Sequence, residues 1–218
     1  MMPRVILHNS VSLDGRIDGF EVDMELHYGT AAQHDFQASL AGSGTILAAA
    51  PPPDRGPPSF PDPADVEGAG LLVVPDSGGR VRCWNHLRNC GFFSGVLALV
   101  SGSTPHSHMK YLERMKVDHW VLGDRKVDLE AALSRLGSER GVRRVLLDGG
   151  GTLSGVLLRQ GLVSEISLIV HPFLAGAGSS VPFFRDPDGE KGLLALGPPK
   201  VKKMPDGRIW LRYGVLRS

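Results

Sequence analysis

The sequence predicts an α/β protein built on a mostly parallel sheet, with antiparallel strands added at the C-terminus. Three observations carry this. Short, largely apolar runs at residues 71–74, 96–100, 119–122 and 145–147 alternate with helix-like stretches at 84–89, 107–115 and 129–140, the rhythm of strand–helix–strand units. Such runs have no polar side to show to water, so helices are expected on both faces of the sheet, in three layers. The end of the chain instead reads as a hairpin, 200–204 and 208–216 around Pro205-Asp206-Gly207.

Taken in order, residues 5–7 begin the first strand, and residues 23–41 read as a loop leading into a helix with Thr30 as a possible N-cap. The apolar run 46–49 stops at Pro51-Pro52-Pro53, because proline lacks an N–H and drives its predecessor toward extended backbone. The proline tract to residue 63 is either an interdomain linker or a loop within one domain. Only about fifty residues precede it, few for a separate core, so one domain over 1–218 is expected. A helix at 152–160, a half-buried strand at 165–171 and the hairpin complete the reading.

A net charge of +1, from 24 basic and 23 acidic residues spread along the chain, leaves no basic stripe for nucleic acid, and the scattered aromatics form no stacking platform. Cys83 and Cys90 lack metal-ligand spacing. With His86 they suggest a short exposed helix, and His106 and His108 read as polar surface, so no metal is expected. The N-terminus enters V-I-L-H without a charged leader, and no apolar run approaches membrane-spanning length, so the expectation is a cytosolic protein with a small-molecule substrate.

The strongest local signal is R-R-V-L-L-D-G-G-G-T-L-S-G-V-L-L. A strand ends in Asp148, Gly149, Gly150 and Gly151 follow, and Thr152 and Leu153 open a helix. Glycines permit positive φ and close backbone approach, while a helix's first N–H groups favour an anion, so a dinucleotide pyrophosphate fits. A turn needing glycine for steric reasons alone is the plainer alternative, and the usual G-x-G-x-x-G spacing is absent. At the end of 96–100, Ser101-Gly102-Ser103-Thr104 offers hydroxyls to a ribose 2′-phosphate or forms an ordinary helix cap. The turn 42–45, with Gly44 and Thr45, follows a predicted helix and reads equally as a C-cap. In H-N-S-V-S-L-D-G-R-I-D-G, Asn9, Ser10, Ser12, Asp14 and Arg16 converge near a strand's carboxyl end. Asn9 suits a heterocycle edge and Arg16 a phosphate, though a strand leaving through an Asp-Gly turn needs the same residues.

Together, N-S-V-S-L-D-G-R-I, G-S-G-T-I-L-A-A and L-L-D-G-G-G-T-L-S-G-V-L-L-R-Q-G-L-V-S-E-I-S-L-I-V-H-P-F-L-A-G-A-G resemble, in order and spacing, the RibD C-terminal reductase family. The resemblance implies a dihydrofolate reductase-like fold, NADPH, a homodimer, and reduction of 2,5-diamino-6-ribosylamino-4(3H)-pyrimidinone 5′-phosphate to its ribitylamino form in riboflavin synthesis. It implies cofactor contacts at Gly44, Thr45, Ser101, Ser103, Thr104 and residues 149–153. The substrate side falls to Asn9, Ser12, Asp14, Arg16 and Asp148, with Asp14 or Asp148 anchoring the pyrimidine or relaying a proton. The family more often has lysine at Arg16 and glutamate at Asp148, and Ala48-Ala49-Ala50-Pro51 replaces its A-D-D-P. These departures keep two rivals open: a family reductase for a pterin or dihydrofolate-like substrate, and a nucleotide-binding module without catalysis.

Overall fold

The computed structural model describes residues 1–66, 70–176, 181–186, 192–204 and 206–216. Pro205, at the tip of the predicted hairpin, and the last two residues of the P-F-L-A-G-A-G stretch lie outside them. The chain gathers into two compact units, Met1–Pro3 with Phe36–Arg143, and Arg4–Asp35 with Arg144–Ser218. The proline tract falls inside the first unit and not at a junction.

In the first unit, β2 (Ala38–Leu40), β3 (Leu71–Pro75), β4 (Gly95–Val100) and β5 (Asp118–Val121) lie in the spatial order β5-β4-β3-β2, each parallel to its neighbour. The helices are α2 (Ser43–Ala48), α3 (Trp84–Asn89), α4 (His106–Arg114) and α5 (Leu129–Glu139), with a 3-10 turn at Pro63–Val66. Its core packs Leu72, Val74, Val96, Ala98 and Val100 from the strands against Trp84, Leu87, Leu112 and Met115. Short strands buried on both faces read as continuous apolar runs, which is why they were legible. Two readings are corrected by this packing. The helix at 84–89 is not an exposed one, since Trp84 is fully buried and Cys83 nearly so, and His108 is a core residue and not polar surface.

The proline tract is pinned to that core by Asp54. Its carboxylate accepts Trp84 N and Asn85 N, both at 2.9 Å, capping α3 from outside the helix, and also the Tyr111 hydroxyl at 2.5 Å. Arg88 donates to Ser59 O and to the carbonyls of Met115 and Lys116, closing the loop over the helix.

The second unit contains β1 (Arg4–Ser12), α1 (Met24–Ala32), β6 (Arg144–Leu147), α6 (Gly151–Arg159), β7 (Glu165–His171), β8 (Lys200–Lys203) and β9 (Ile209–Gly214). Its strands run in the order β6-β1-β7-β9-β8. β6, β1 and β7 are parallel, whereas β9 pairs antiparallel with both β7 and β8, as the hairpin pattern foresaw. The helix near the N-terminus starts earlier than expected. Asp23 is its N-cap, accepting Leu26 N at 3.0 Å, and Thr30 is not a cap but lies in the last turn, its hydroxyl turned back to the carbonyls of Leu26 and His27. With α1 ending at Ala32, room remains for β2, so the turn at 42–45 is not a C-cap. It follows a strand and opens α2, with Gly42 at the N-cap.

Candidate active site

β1 is the middle strand of its unit and is buried from Val5 to Ser12, so its polar side chains all need partners. The register sets Leu7 beside Leu147 and Ser12 beside His171, which brings the carboxyl ends of β1, β6 and β7 to one edge. In open α/β sheets that edge is where ligands gather. Asp148 follows β6 there. Asn9 reaches across and donates from Nδ2 to Gly149 O at 3.4 Å, so it braces the glycine turn. The Asp148 side chain keeps 28% of its surface, and burial of its charge raises its pKa, opposed by the nearby His27 and a hydrogen bond from Tyr28.

The loop after β1 is held by its own polar groups. Ser12 Oγ donates to Asp14 Oδ1 at 2.6 Å and accepts Arg16 N at 3.0 Å. Asp14 also accepts Ala175 N and Gly176 N, both at 3.0 Å. The Ser12 hydroxyl, followed by these backbone N–H groups, holds the Asp14 carboxyl down to about 2. Near neutral pH it is therefore a fixed carboxylate and a poor proton donor, which leaves Asp148 the better placed of the two for acid chemistry. Arg16 donates its backbone N–H to Ser12 Oγ, accepts Ser12 N at its carbonyl and bridges to Pro182, while its Nε is buried with no partner among the described residues. A buried guanidinium nitrogen without an acceptor suits an incoming anion.

At the glycine turn the positive φ foreseen from three consecutive glycines does not occur. None of the three lies in the left-handed region, and Gly150 caps α6 with φ −67° and no side-chain hydrogen bond. What Gly151 provides is proximity, since a Cβ there would stand 2.1 Å from Pro182 O. The close approach is thus made in part by the protein's own 181–185 segment, whose Arg185 N donates to Gly151 O at 2.9 Å. Thr152 and Leu153 follow in the first turn of α6, the former exposed and the latter half-buried.

The first unit has its own strand-end edge, with turns at the carboxyl ends of β2, β3 and β4. In residues 101–104 the hydroxyls are largely engaged: Ser103 Oγ donates to Arg125 O at 3.0 Å, Ser101 Oγ lies 3.3 Å from the same carbonyl, and Thr104 Oγ1 donates to Ser77 O at 2.9 Å. Gly102 N and Ser103 N donate to Gly123 O and Asp124 O. Ser101 and Thr104 are buried, and only Ser103 of the three hydroxyls is exposed. The cations beside this edge were not singled out from sequence. Arg80, in the turn after β3, donates to Ser43 Oγ at 3.1 Å, one residue before Gly44. Asp76-Ser77-Gly78-Gly79-Arg80 is itself a strand-end glycine turn, and that placement was the available signal.

Residues 3–207 match the RibD C-terminal domain family. The chain belongs to that family. RibD C-terminal domain relatives include two proteins named 2,5-diamino-6-ribosylamino-4(3H)-pyrimidinone 5′-phosphate reductase. The one from Archaeoglobus fulgidus is 29% identical over 95% of this chain and 96% of its own length. The one from Methanothermobacter thermautotrophicus is 29% identical over 81% of each. Among solved structures, a pyrimidine reductase-like protein from Corynebacterium diphtheriae superposes with a TM-score of 0.77, covering 99% of this chain and 93% of the other at 16% identity, a likeness of fold. The α/β class with antiparallel C-terminal strands is that of the family. No helix among the described residues is long and apolar enough to cross a membrane.

Two further side chains at the second unit's edge escaped sequence reasoning. His27 faces Asp148 from α1. His171 ends β7 between the rings of Phe20 and Phe173, at 5.2 and 5.3 Å, its Nε2 buried without a partner among the described residues. An isolated histidine in a helix or at a strand end has no pattern to reveal it.

Proposed function

We propose that this chain is an NADPH-dependent reductase of 2,5-diamino-6-ribosylamino-4(3H)-pyrimidinone 5′-phosphate, yielding the ribitylamino product of riboflavin synthesis. The observation that carries the reading is the second unit's strand edge. There a partly exposed carboxyl of raised pKa, Asp148, stands beside a helix start whose cap supplies no side chain, with Arg16 on the loop after the neighbouring strand. The relatives' names supply the substrate, and the match across both units supports one reductase domain over the whole chain.

The turn at 149–153 fits a phosphate-bearing cofactor. The N-cap of α6 is Gly150, which has no side chain to cap with, and the helix dipole favours an anion there. NADPH, when bound, supplies the hydride that reduces the ring-opened sugar's imine carbon. Gly149, Gly150, Gly151, Thr152 and Leu153 hold its pyrophosphate. The first unit has a phosphate-compatible edge of its own, where Gly44 and Thr45 offer backbone, Ser101, Ser103 and Thr104 form a hydroxyl-bearing turn, and Arg80 adds charge beside Ser43. On the substrate side Arg16 takes the phosphate, and Asn9 and Ser12 set the edge. Asp14 keeps the loop closed around it. Asp148 anchors the aminopyrimidine and delivers the proton required at nitrogen, so that catalysis is chiefly orientation plus one proton. A homodimer and a cytoplasmic location belong to the same reading.

The test is NADPH oxidation followed by absorbance, with the ribosylaminopyrimidine phosphate and dihydrofolate offered in parallel. Turnover of the first alone is expected, with the ribitylamino product identified by mass. Turnover of dihydrofolate alone, or tight NADPH binding without turnover of either, overturns it.

A further inference from the structure

His8, His27 and His34 lie buried around β1, and their hydrogen bonds sort them. His8 Nε2 donates to the His27 carbonyl at 3.1 Å, so its Nδ1, 3.0 Å from Ser167 Oγ, is the acceptor. Ser167 in turn receives Trp210 Nε1 at 2.8 Å and lies 3.1 Å from His34 Nε2. Burial, reinforced by His27, pushes His8 down to about 3, so it is neutral and fully occupied. His34 is engaged in the same way, with Glu165 at 3.9 Å from its Nδ1.

His27 differs, because one of its nitrogens faces the candidate active site. Ser10 Oγ lies 3.0 Å from Nδ1, which turns Nε2 toward Asp148 Oδ1 at 3.8 Å. That separation gives electrostatic attraction without closing a hydrogen bond, so the carboxyl keeps capacity for a ligand. The imidazole is 5% exposed and cannot swing away. Aspartate, one methylene shorter than glutamate, has less reach and gains more from a neighbour that sets its direction.

We propose that His27, oriented by Ser10, is a positioning residue for Asp148, aiming the carboxyl at the substrate and setting how it shares its proton. This rests on the reductase reading above. The groups facing the pair are Tyr28 on the same helix, hydrogen-bonded to Asp148, His8 on β1 with ring centroids 4.7 Å away, and His171 on β7. Of these, His8 is fixed neutral by its own bonds, and burial lowers the His171 pKa. Burial lowers the pKa of His27 itself and raises that of Asp148, while each opposes the effect of burial on the other, so the two groups compete for one proton and removing the ring leaves that proton to the carboxyl.

The experiment compares wild type with His27→Leu, His27→Gln and Ser10→Ala. Asp148 is followed by NMR of carboxyl-labelled aspartate, its signal assigned by loss in Asp148→Asn, and kcat and KM are followed against pH. In His27→Leu the Asp148 midpoint is expected to rise by roughly half a unit or more. Its kcat falls about tenfold with KM changed less than about twofold, and the limb of the pH profile moves with the midpoint. His27→Gln, which keeps an N–H donor, recovers most of kcat. Ser10→Ala shifts both readouts in the direction of His27→Leu by a smaller amount and serves if the leucine variant does not fold. An unmoved Asp148 titration in folded variants, or a wild-type pH profile in all of them, overturns the proposal. If wild type does not reduce the pyrimidine, the reductase reading fails, whereas the Asp148 titration still decides the pairing.

Discussion

Replacing Gly151 by alanine tests whether the glycine turn is shaped by the chain's own packing. A Cβ at this position meets Pro182 O at 2.1 Å, with Pro182 C at 3.3 Å and Arg185 N at 3.4 Å. All three are backbone atoms, so no side chain can swing aside and the 181–185 segment must move by roughly 1 Å. That segment is held by Arg185 N to Gly151 O at 2.9 Å, Ile17 N to Val181 O at 2.9 Å and Phe183 N to Gly15 O at 3.1 Å. Overpacking of this kind costs ~1–3 kcal/mol, and a strained or lost hydrogen bond adds ~1 kcal/mol. The better helix propensity of alanine returns up to ~1 kcal/mol. A net loss of about 2 kcal/mol corresponds to a Tm lower by about 4–8 °C for a chain of this size. Because Pro182 also bridges to Arg16, KM for the phosphorylated substrate is expected to rise in the same variant. Gly149→Ala is the control. Its Cβ meets only the flexible side chains of Leu147 at 3.2 Å and Leu153 at 3.3 Å, so its cost stays below about 1 kcal/mol. Thermal denaturation of both variants decides, and a Gly151→Ala protein as stable as wild type, or no more perturbed than Gly149→Ala, refutes the packing argument.

Further expectations concern the loop anchors and the charged edge. Asp54→Ala removes three hydrogen bonds to a carboxylate and should cost about 2–3 kcal/mol in urea denaturation while opening residues 51–63 to limited proteolysis. Protection of that tract equal to wild type would show that Asp54 does not pin it. Asp14, held down to about 2 in the folded protein, contributes stability that is present above its unfolded pKa near 4 and is lost as pH falls from there through 2. Asp14→Asn should therefore be less stable than wild type at pH 6 and converge on it near pH 2, and a stability gap that persists in acid contradicts the assignment. Arg80→Gln should weaken NADPH by about tenfold and NADH by much less if the guanidinium meets the 2′-phosphate, and equal losses for both would move that role elsewhere.

Much of the architecture was legible because burial on both faces leaves a short strand no polar positions, so β3, β4 and β6 stood out as apolar runs between helical stretches. β2 did not, since three residues set no period, and missing it misplaced both the start of α1 and the nature of the turn at 42–45. His108 was misread because its neighbours in sequence are polar and exposed, while the helix turns its ring into the core. The candidates legible in the sequence, Asn9, Ser12, Asp14, Arg16 and Asp148, all lie in or just after a strand near its carboxyl end. Those that meet them from elsewhere, His27 and His171, were not legible.

By itself, then, the amino-acid order determined the α/β alternation, the antiparallel C-terminal strands, the family and the strand-end motifs, because each is written in local periodicity or in contiguous residues. Only the tertiary structure decided what the motif residues touch. It bonds Asp14 to the backbone of Ala175, brings Gly151 against Pro182, engages most of the hydroxyls of residues 101–104 on neighbouring carbonyls, and sets His27 against Asp148. Hydrogen bonds and steric approach depend on segments far apart in the chain, and no local pattern specifies which will meet.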